Sequence, residues 1–502
     1  MRTTLTTKIA FISLKAWEIP IRGINLILLG GLFILLKPAN VLAAPGCFQQ
    51  EQFVAIQIKP NDVTILMSDR AELTGNLKVF NIDPTNLKRF WVQSWKNPDD
   101  SFEWTLKAPA DGLYTADMLI EGAPGNKIEI AGPVNSLICT LQVTGWDKIA
   151  VPGELSLRKG TNKISVKAME PANLKFKSLE LINVNDKSNI EERIRKFRSN
   201  TKWMAHAGFG LMFQWGEWGY PQHGAKKPWP KMIDDFNVDA FANMVAEVEA
   251  GYVVWSATWS TYFFPAPIKA IDNILPGRTC SRDLIGELAD ALNKRGIKLI
   301  LYYHLGHGEN VNLEWWKNNW VSQDDQTIFI KNFCSITIEV GERYGKKLAG
   351  WMIDDGMIYY PGPFEQLGKA LKAGNSDRLI AYNSWILPRF TEFQDFFFGE
   401  GNEKGIDGAG PKGGNGIVAN GPQKGLQGFA NFILDGPNWG IAQPETTINP
   451  PQYTKDQIAA LVKNAMERKL VMSFNLLMYE DGSVSPASLE MMKYVRSIAR
   501  GK

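Results

Sequence analysis

Between residues 53 and 184 the apolar positions come in short runs rich in β-branched and aromatic residues. FVAIQIK, GNLKVF, SFEWTLKAP, GLYTADMLI, NKIEIAG, LICTLQV, NKISVKAM and SLELINV are separated by Gly, Pro, Asp and Asn at near-regular spacing. That pattern predicts short strands joined by tight turns, and a β-sandwich over residues 44–184. In NDKSNIEERIRKFRSN (185–200) the rhythm changes: Ile190, Ile194 and Phe197 share one face of a charged segment, which predicts a helical linker. From 201 to 502 strand-like and helix-like stretches alternate. FGLMFQW (209–215), YVVWSA (252–257), IKLILYYH (297–304) and LAGWMIDD (348–355) read as four strands, and LIAYNSW, FQDFFFGE, NFIL and LVMSFNLL (470–477) as four more. Helices are predicted with Phe241, Met244, Val245 and Val248 on one face, from a Ser281 cap to a Gly296 stop, up to Gly345, and from a Thr454/Gln457 capping box. Eight such units predict an α/β fold, a (β/α)8 TIM-type barrel behind the all-β sandwich domain.

In such barrels the chemistry sits where strands end. The fourth strand ends in two adjacent carboxylates, Asp354 and Asp355, whose side chains alternate in direction, so only one can point into the barrel mouth. A buried carboxylate without partners costs several kcal/mol, which marks this terminus for use. The other strand ends supply Gln214, Trp215 and Glu217; Ser256, Trp259 and Ser260; Tyr303 and His304; Asn383 and Trp385; Asp395 and Glu400; Trp439; and Asn475. Carboxylates, amides and indoles around one mouth describe a carbohydrate site. Glycoside hydrolysis needs two carboxyl groups flanking the anomeric carbon, and Asp354 and Glu400 stand at two strand ends of one small barrel. The competing roles are a turn cap or cation partner for Asp354, a loop position for Glu400 and a hydrogen-bonded structural place for His304.

Composition narrows the partners. The run INLILLGGLFILL (24–36) follows Lys8, Lys15 and Arg22 and precedes Val41-Leu42-Ala43, which reads as a signal peptide over residues 1–43, cleaved after Ala43; an uncleaved anchor is the alternative. The protein is then secreted or periplasmic, with no stable membrane partner beyond the export signal. The leader holds five of the 55 basic residues and one of the 52 acidic ones, so the remainder is close to neutral and nucleic acid is not an expected partner. The 17 tryptophans and 13 tyrosines favour an oligo- or polysaccharide substrate. The four histidines are scattered and no metal-ligand spacing occurs, so neither metal nor cofactor is expected. Cys47, Cys139, Cys280 and Cys334 allow the bridges Cys47–Cys139 and Cys280–Cys334, two other pairings, or free thiols. The glycine-rich 405–425 stretch lacks the GK[ST] ending of a phosphate loop and reads as a flap over the site. Trp91, Trp95, Trp104 and Trp146 serve either as sandwich core or as a sugar platform.

Across residues 203–498 the motifs resemble the α-L-fucosidases of glycoside hydrolase family 29. FGLMFQWG (209–216) is similar to that family's first-strand motif, and Trp351-Met352-Ile353-Asp354 to its W-x-D nucleophile strand. Asp395-Phe396-Phe397-Phe398-Gly399-Glu400 matches a D-F-x-x-x-E acid/base motif, and NLLMYEDGSVSP (475–486) resembles its last strand. The resemblance implies a retaining exo-acting glycoside hydrolase with Asp354 as nucleophile, Glu400 as acid/base about 5–5.5 Å away, and Asp355 as bystander. It also implies that Gln214 stands for a histidine of the first strand, and that Thr258-Trp259-Ser260-Thr261-Tyr262 replaces a K-H-H-D-G run. Those histidines grip fucose hydroxyls in the family, so a glycone other than or in addition to L-fucose is expected. A non-catalytic glycan-binding protein on a decayed glycosidase barrel is the alternative. The sandwich resembles carbohydrate-binding modules.

Overall fold

Strand Ser101–Ala108 buries every second side chain, whereas in Lys175–Asn183 six consecutive residues from Phe176 to Leu181 are buried. The first pattern is that of a strand with one wet face, the second that of a strand covered on both. The computed structural model explains the difference. It describes residues 55–501 apart from 82–89, 143–144, 260, 305–313, 316–317, 320–325, 355–359, 384–390 and 399–414. The leader, Cys47, Ser260, Asp355, Trp385, Glu400 and residues 405–414 of the glycine-rich stretch therefore lie outside the described residues.

Among the described residues two six-stranded sheets form the sandwich. One is built on Ser101–Ala108 and Gly160–Ala168, the other on Gly145–Leu157, Gly112–Gly122 and Lys175–Asn183. Phe102, Trp104, Leu106, Ile164 and Val166 meet Met118, Ile120, Phe176 and Leu181 between the sheets. The outer face of the second sheet puts Met67, Phe90, Trp91 and Leu119 into the core that surrounds the parallel strands downstream. Trp95 and Trp104 are thus sandwich core, while Trp91, with Trp146 at its edge (ring centroids 5.7 Å), packs towards the second half of the chain. From Phe53 to Lys502 the chain is one compact unit.

A buried ionic cluster joins the halves. Lys148 Nζ lies 2.6 Å from both Glu180 and Glu392, and the Tyr360 hydroxyl donates to Glu180 (2.9 Å) beside Ser178 Oγ (2.6 Å). Lys148, Glu180 and Ser178 come from the sandwich, whereas Tyr360 and Glu392 follow the fourth and fifth parallel strands. Helix Val184–Phe197, capped by the Asn183 side chain, connects the two parts. The following turn is held by Ser199 N donating to Asp395 Oδ1 (2.6 Å).

Among the described residues seven parallel strands make one sheet, in the order Leu379–Tyr382, Leu348–Ile353, Lys298–Tyr303, Tyr252–Thr258, Gly210–Phe213, Val471–Asn475 and Phe429–Ile433. Helices including Val238–Glu247, Leu284–Asn293, Thr327–Tyr344 and Lys455–Glu467 cover its outer face. The inner face carries Met212, Val254, Ile300, Tyr302, Met352, Ala381, Phe429 and Val471 as a second apolar cluster. Gly210 is needed there: a Cβ at that position would stand 2.1 Å from the Tyr252 ring that fills the space.

Two expectations are corrected, and one choice left open is decided. The described part of FQDFFFGE is not a regular strand; Asp395 and Phe396 donate backbone N–H groups to Ile380 O, and Phe397 to Gln427 O, so an irregular segment bridges the outermost strands. The Asp395 carboxylate holds it there, accepting from Ile380 N (2.8 Å) with Lys372 Nζ 3.3 Å away. The helix placed after Ser281 is capped by Asp283, whose Oδ1 accepts from Gly286 N at 2.9 Å, because a carboxylate two residues further on meets the open N–H groups better. Cys280 and Cys334 are free thiols rather than a bridge, as is the buried Cys139. The Thr454/Gln457 capping box forms as the sequence predicts.

Candidate active site

Strand alternation decides which side chains reach the mouth. Met212, Tyr302 and Met352 face inward, so two residues further on Gln214, His304 and Asp354 face the same way. Asp354 is 5% exposed. Its Oδ1 accepts from Asn383 Nδ2 at 2.8 Å and its Oδ2 from the Tyr302 hydroxyl. The backbone ladder runs on beneath it: Asp354 N donates to Tyr303 O (2.9 Å) and Asn383 N to Ile353 O (2.8 Å). Donors on both oxygens, borne by the strands on either side, fix this carboxylate in one orientation at the strand end.

His304, Trp259 and Gln214 follow the next three strands of the sheet, at the same end. Thr258 Oγ1 brackets His304, donating to its carbonyl (2.6 Å) and accepting from its N–H (3.1 Å); the Trp259 ring stands perpendicular to the imidazole at 6.3 Å. Trp218 meets Trp259 edge-on with centroids 4.3 Å apart. Gly440 admits it, since a Cβ there would lie 2.1 Å from the Trp218 ring. Trp439 packs on the inner cluster, and its carbonyl accepts from Asn475 Nδ2 (2.9 Å). The connections after the first, seventh and eighth strands are tied together: Tyr220 N donates to Ile441 O, Glu480 N to Tyr220 O and Trp215 Nε1 to Glu480 O.

Other sequence-predicted residues have different surroundings. Trp215 faces the helices, among Trp229, Phe236 and Trp255. Tyr303 also faces outward, against Phe333 and Trp351, with its hydroxyl on that of Tyr262. Ser256 Oγ bonds both the N–H and the carbonyl of Trp215, which fixes the chain beside Gln214. Glu217 pairs with Lys226 Nζ at 3.2 Å, partly exposed. Tyr302 and Trp218 were passed over. The signal for Tyr302 was in the sequence: if His304 faces the mouth, the inward tyrosine of LYYH is the one two residues before it. Trp218 lies beyond the strand in a connection whose path no periodicity reports. Among the described residues no group of three or more His, Cys, Asp or Glu is placed to hold a metal ion.

The residues from Phe53 onward thus define an α/β protein with a parallel half-barrel sheet and a carboxylate held at its strand ends. No family model and no curated protein matches the chain. Among solved structures, an endo-fucoidan hydrolase of glycoside hydrolase family 107 is 14% identical over 59% of this chain and 53% of its own (TM-score 0.43), so the chain spans about half of that protein's length. A family 29 α-L-fucosidase from Bacteroides thetaiotaomicron, trapped as a covalent intermediate, is 15% identical over 60% of this chain and 76% of its own (TM-score 0.41). An α-L-fucosidase from Lactobacillus casei in complex with α-L-fucose is 15% identical over 60% and 99% (TM-score 0.39). Similarity at this level leaves the chemistry to the chain's own residues.

Proposed function

We propose that this chain is an exported glycoside hydrolase, α-L-fucosidase-like in its chemistry, acting by retention on the end of an oligo- or polysaccharide. Its seven-stranded sheet and bridging segment would form the closed eight-fold barrel. The observation that carries the reading is the double clamp on Asp354 at the inner end of the fourth strand. A nucleophile must approach the anomeric carbon along one line, and a carboxylate fixed by two neighbours has lost the rotational freedom that would otherwise oppose this. An Asp354 oxygen bonds to the anomeric carbon as the glycosidic C–O bond breaks, and the departing oxygen takes a proton from Glu400. Water, deprotonated by Glu400, then attacks the anomeric carbon and releases Asp354. Trp259, Trp218 and Trp439 supply the apolar faces on which a pyranose ring stacks.

A panel of nitrophenyl glycosides and extracted polysaccharides, with Asp354→Ala as blank, tests this directly. Release by the wild type alone supports the reading; no release from any member leaves a glycan-binding protein instead. Because Gln214 and Trp259 stand where the resembling family has histidines, nitrophenyl α-L-fucoside should be a poor member of the panel, and efficient cleavage of it would show the glycone site to be fucose-adapted after all.

Tyr302→Phe should lower kcat about 10- to 100-fold on the best substrate with KM little changed, since it removes a hydrogen bond to a charged group and leaves the ring packing intact. An unchanged kcat would take Tyr302 out of the positioning role. Glu400→Ala should depress substrates with poor leaving groups far more than activated ones, and equal losses on both would remove it as the acid.

A further inference from the structure

Strand Leu379–Tyr382, the fifth, ends the sheet, and among the described residues no regular strand lies against its outer edge. Side chains meet that edge instead. Ile380 N donates to Asp395 Oδ2 (2.8 Å) and Tyr382 N to Gln394 Oε1 (3.3 Å), while Ile380 O accepts from Asp395 N (2.8 Å). Gln394 is fully buried and its Nε2 donates to Thr391 O (2.8 Å), so turning the amide over would lose both of its bonds. Segment 391–396 is held in turn by the sandwich and the linker. Glu392 Oε1 lies 2.6 Å from Lys148 Nζ, which is also 2.6 Å from Glu180, and Glu392 O accepts from Arg198 Nε (3.0 Å). One residue past Tyr382, Asn383 gives its N–H to Ile353 O (2.8 Å) and its side chain to Asp354 Oδ1 (2.8 Å). Covalent and hydrogen bonds thus run without a gap from Lys148 in the sandwich to the Asp354 carboxylate.

We propose that Glu392, held by Lys148, is a positioning residue: it fixes segment 391–396 on the edge of the fifth strand, and through that strand it fixes Asn383 and the orientation of Asp354. Buried backbone N–H groups need partners, and where side chains supply them the strand is held only as firmly as the segment that bears those side chains. Lys148 makes a firm anchor. Its side chain is 1% exposed and sits between two carboxylates, whereas an ion pair in water holds its geometry weakly. A displacement of about 1 Å in a reacting group costs on the order of 100-fold in rate, so partial loosening at this remove should cost about tenfold. The sandwich then acts as a support of the active site. The expected effect on turnover rests on the glycosidase reading; the mechanical link from Glu392 to the fifth strand does not.

Glu392→Leu in the full chain cuts the link most cleanly, because Lys148 keeps Glu180 as its partner. Hydrogen exchange read by mass spectrometry should show peptides covering residues 379–383 exchanging about tenfold faster than in the wild type, with those of strands Gly210–Phe213 and Tyr252–Thr258 unchanged. Glu392→Gln, whose amide oxygen can still accept from Lys148, should exchange like the wild type. On the best glycoside Glu392→Leu should lower kcat about tenfold with KM little changed, and Glu392→Gln should keep most of the rate. In an Asn383→Ala background Glu392→Leu should cost no further turnover, since the route passes through Asn383. Where Glu392→Leu does not fold, the combined Lys148→Met, Glu180→Gln and Glu392→Gln variant cuts the same link without leaving a charge of the triad unpaired, and carries the same readouts. Unchanged exchange at 379–383 would overturn the proposal, as would a uniform rise over all the strands, which is the mark of lost stability alone. An undiminished kcat in Glu392→Leu, or the same tenfold loss repeated on top of Asn383→Ala, would overturn it too. Faster exchange confined to 379–383 in a protein that hydrolyses no glycoside would remove the glycosidase reading and leave the link standing.

Discussion

Asp354→Asn should reduce turnover of the best glycoside by about 1,000-fold or more while the protein stays folded. An amide at that strand end cannot replace the carboxylate as nucleophile in the proposed retaining mechanism. Asparagine is the sharper substitution. Its oxygen can still accept from Tyr302 or from Asn383 but not from both, so one hydrogen bond is lost, about 1–3 kcal/mol of local stability, and the backbone ladder through Asp354 N is untouched. Asp354→Ala leaves both donors unmet and opens space, which is why azide should partly restore turnover in that variant, the anion attacking in the carboxylate's place. Single-turnover kinetics on an activated nitrophenyl glycoside measures both. Activity persisting in Asp354→Asn but absent in Asp355→Asn would transfer the role to the neighbouring carboxylate.

Lys148→Met should destabilise the protein by about 3–5 kcal/mol, because it leaves two glutamates facing a buried site without their counter-ion. Burial by itself draws the Lys148 ammonium pKa down, but Glu180, Glu392 and Asp117 hold it above its ordinary value, so the lysine stays charged. One cation does not balance three carboxylates. Burial pushes Glu180 up to about 7 and Asp117 up to about 6. Both acids therefore keep protons in the folded protein at pH values where the unfolded chain has released them. The folded state binds more protons between about pH 4 and pH 7, so stability falls as pH rises through that window. Guanidinium midpoints at pH 5 and pH 7.5 should show the fall in the wild type and a flatter response in Asp117→Asn. A Lys148→Met midpoint equal to that of the wild type would mean that the cluster carries no net stability. Its position adds a functional reading: Tyr360 comes six residues after Asp354 and Glu392 eight before Glu400, so the sandwich anchors the chain close to both proposed catalytic positions.

The chain's own residues determined where strands and helices fall. Period-two and helical runs survive in the fold because they reflect burial on one face, which each segment encodes for itself. Asp354 at the end of an inner strand was legible for the same reason, as was the capping box at Thr454, whose partner is three residues away. Tertiary structure decided what depends on residues far apart in sequence. Trp215 and Tyr303 turned to the helix layer because alternation places each strand residue opposite its neighbour, and the parity could be set only once one inward residue was known. The sixth strand position became a bridge because Asp395 is claimed by Ile380, Ser199 and Lys372, from three separate segments. Lys148, in an ordinary-looking strand, acquired its role from partners 32 and 244 residues away. Local pattern reports which face of a segment is apolar; it carries no record of which distant group will meet a buried charge, and that pairing only the folded chain creates.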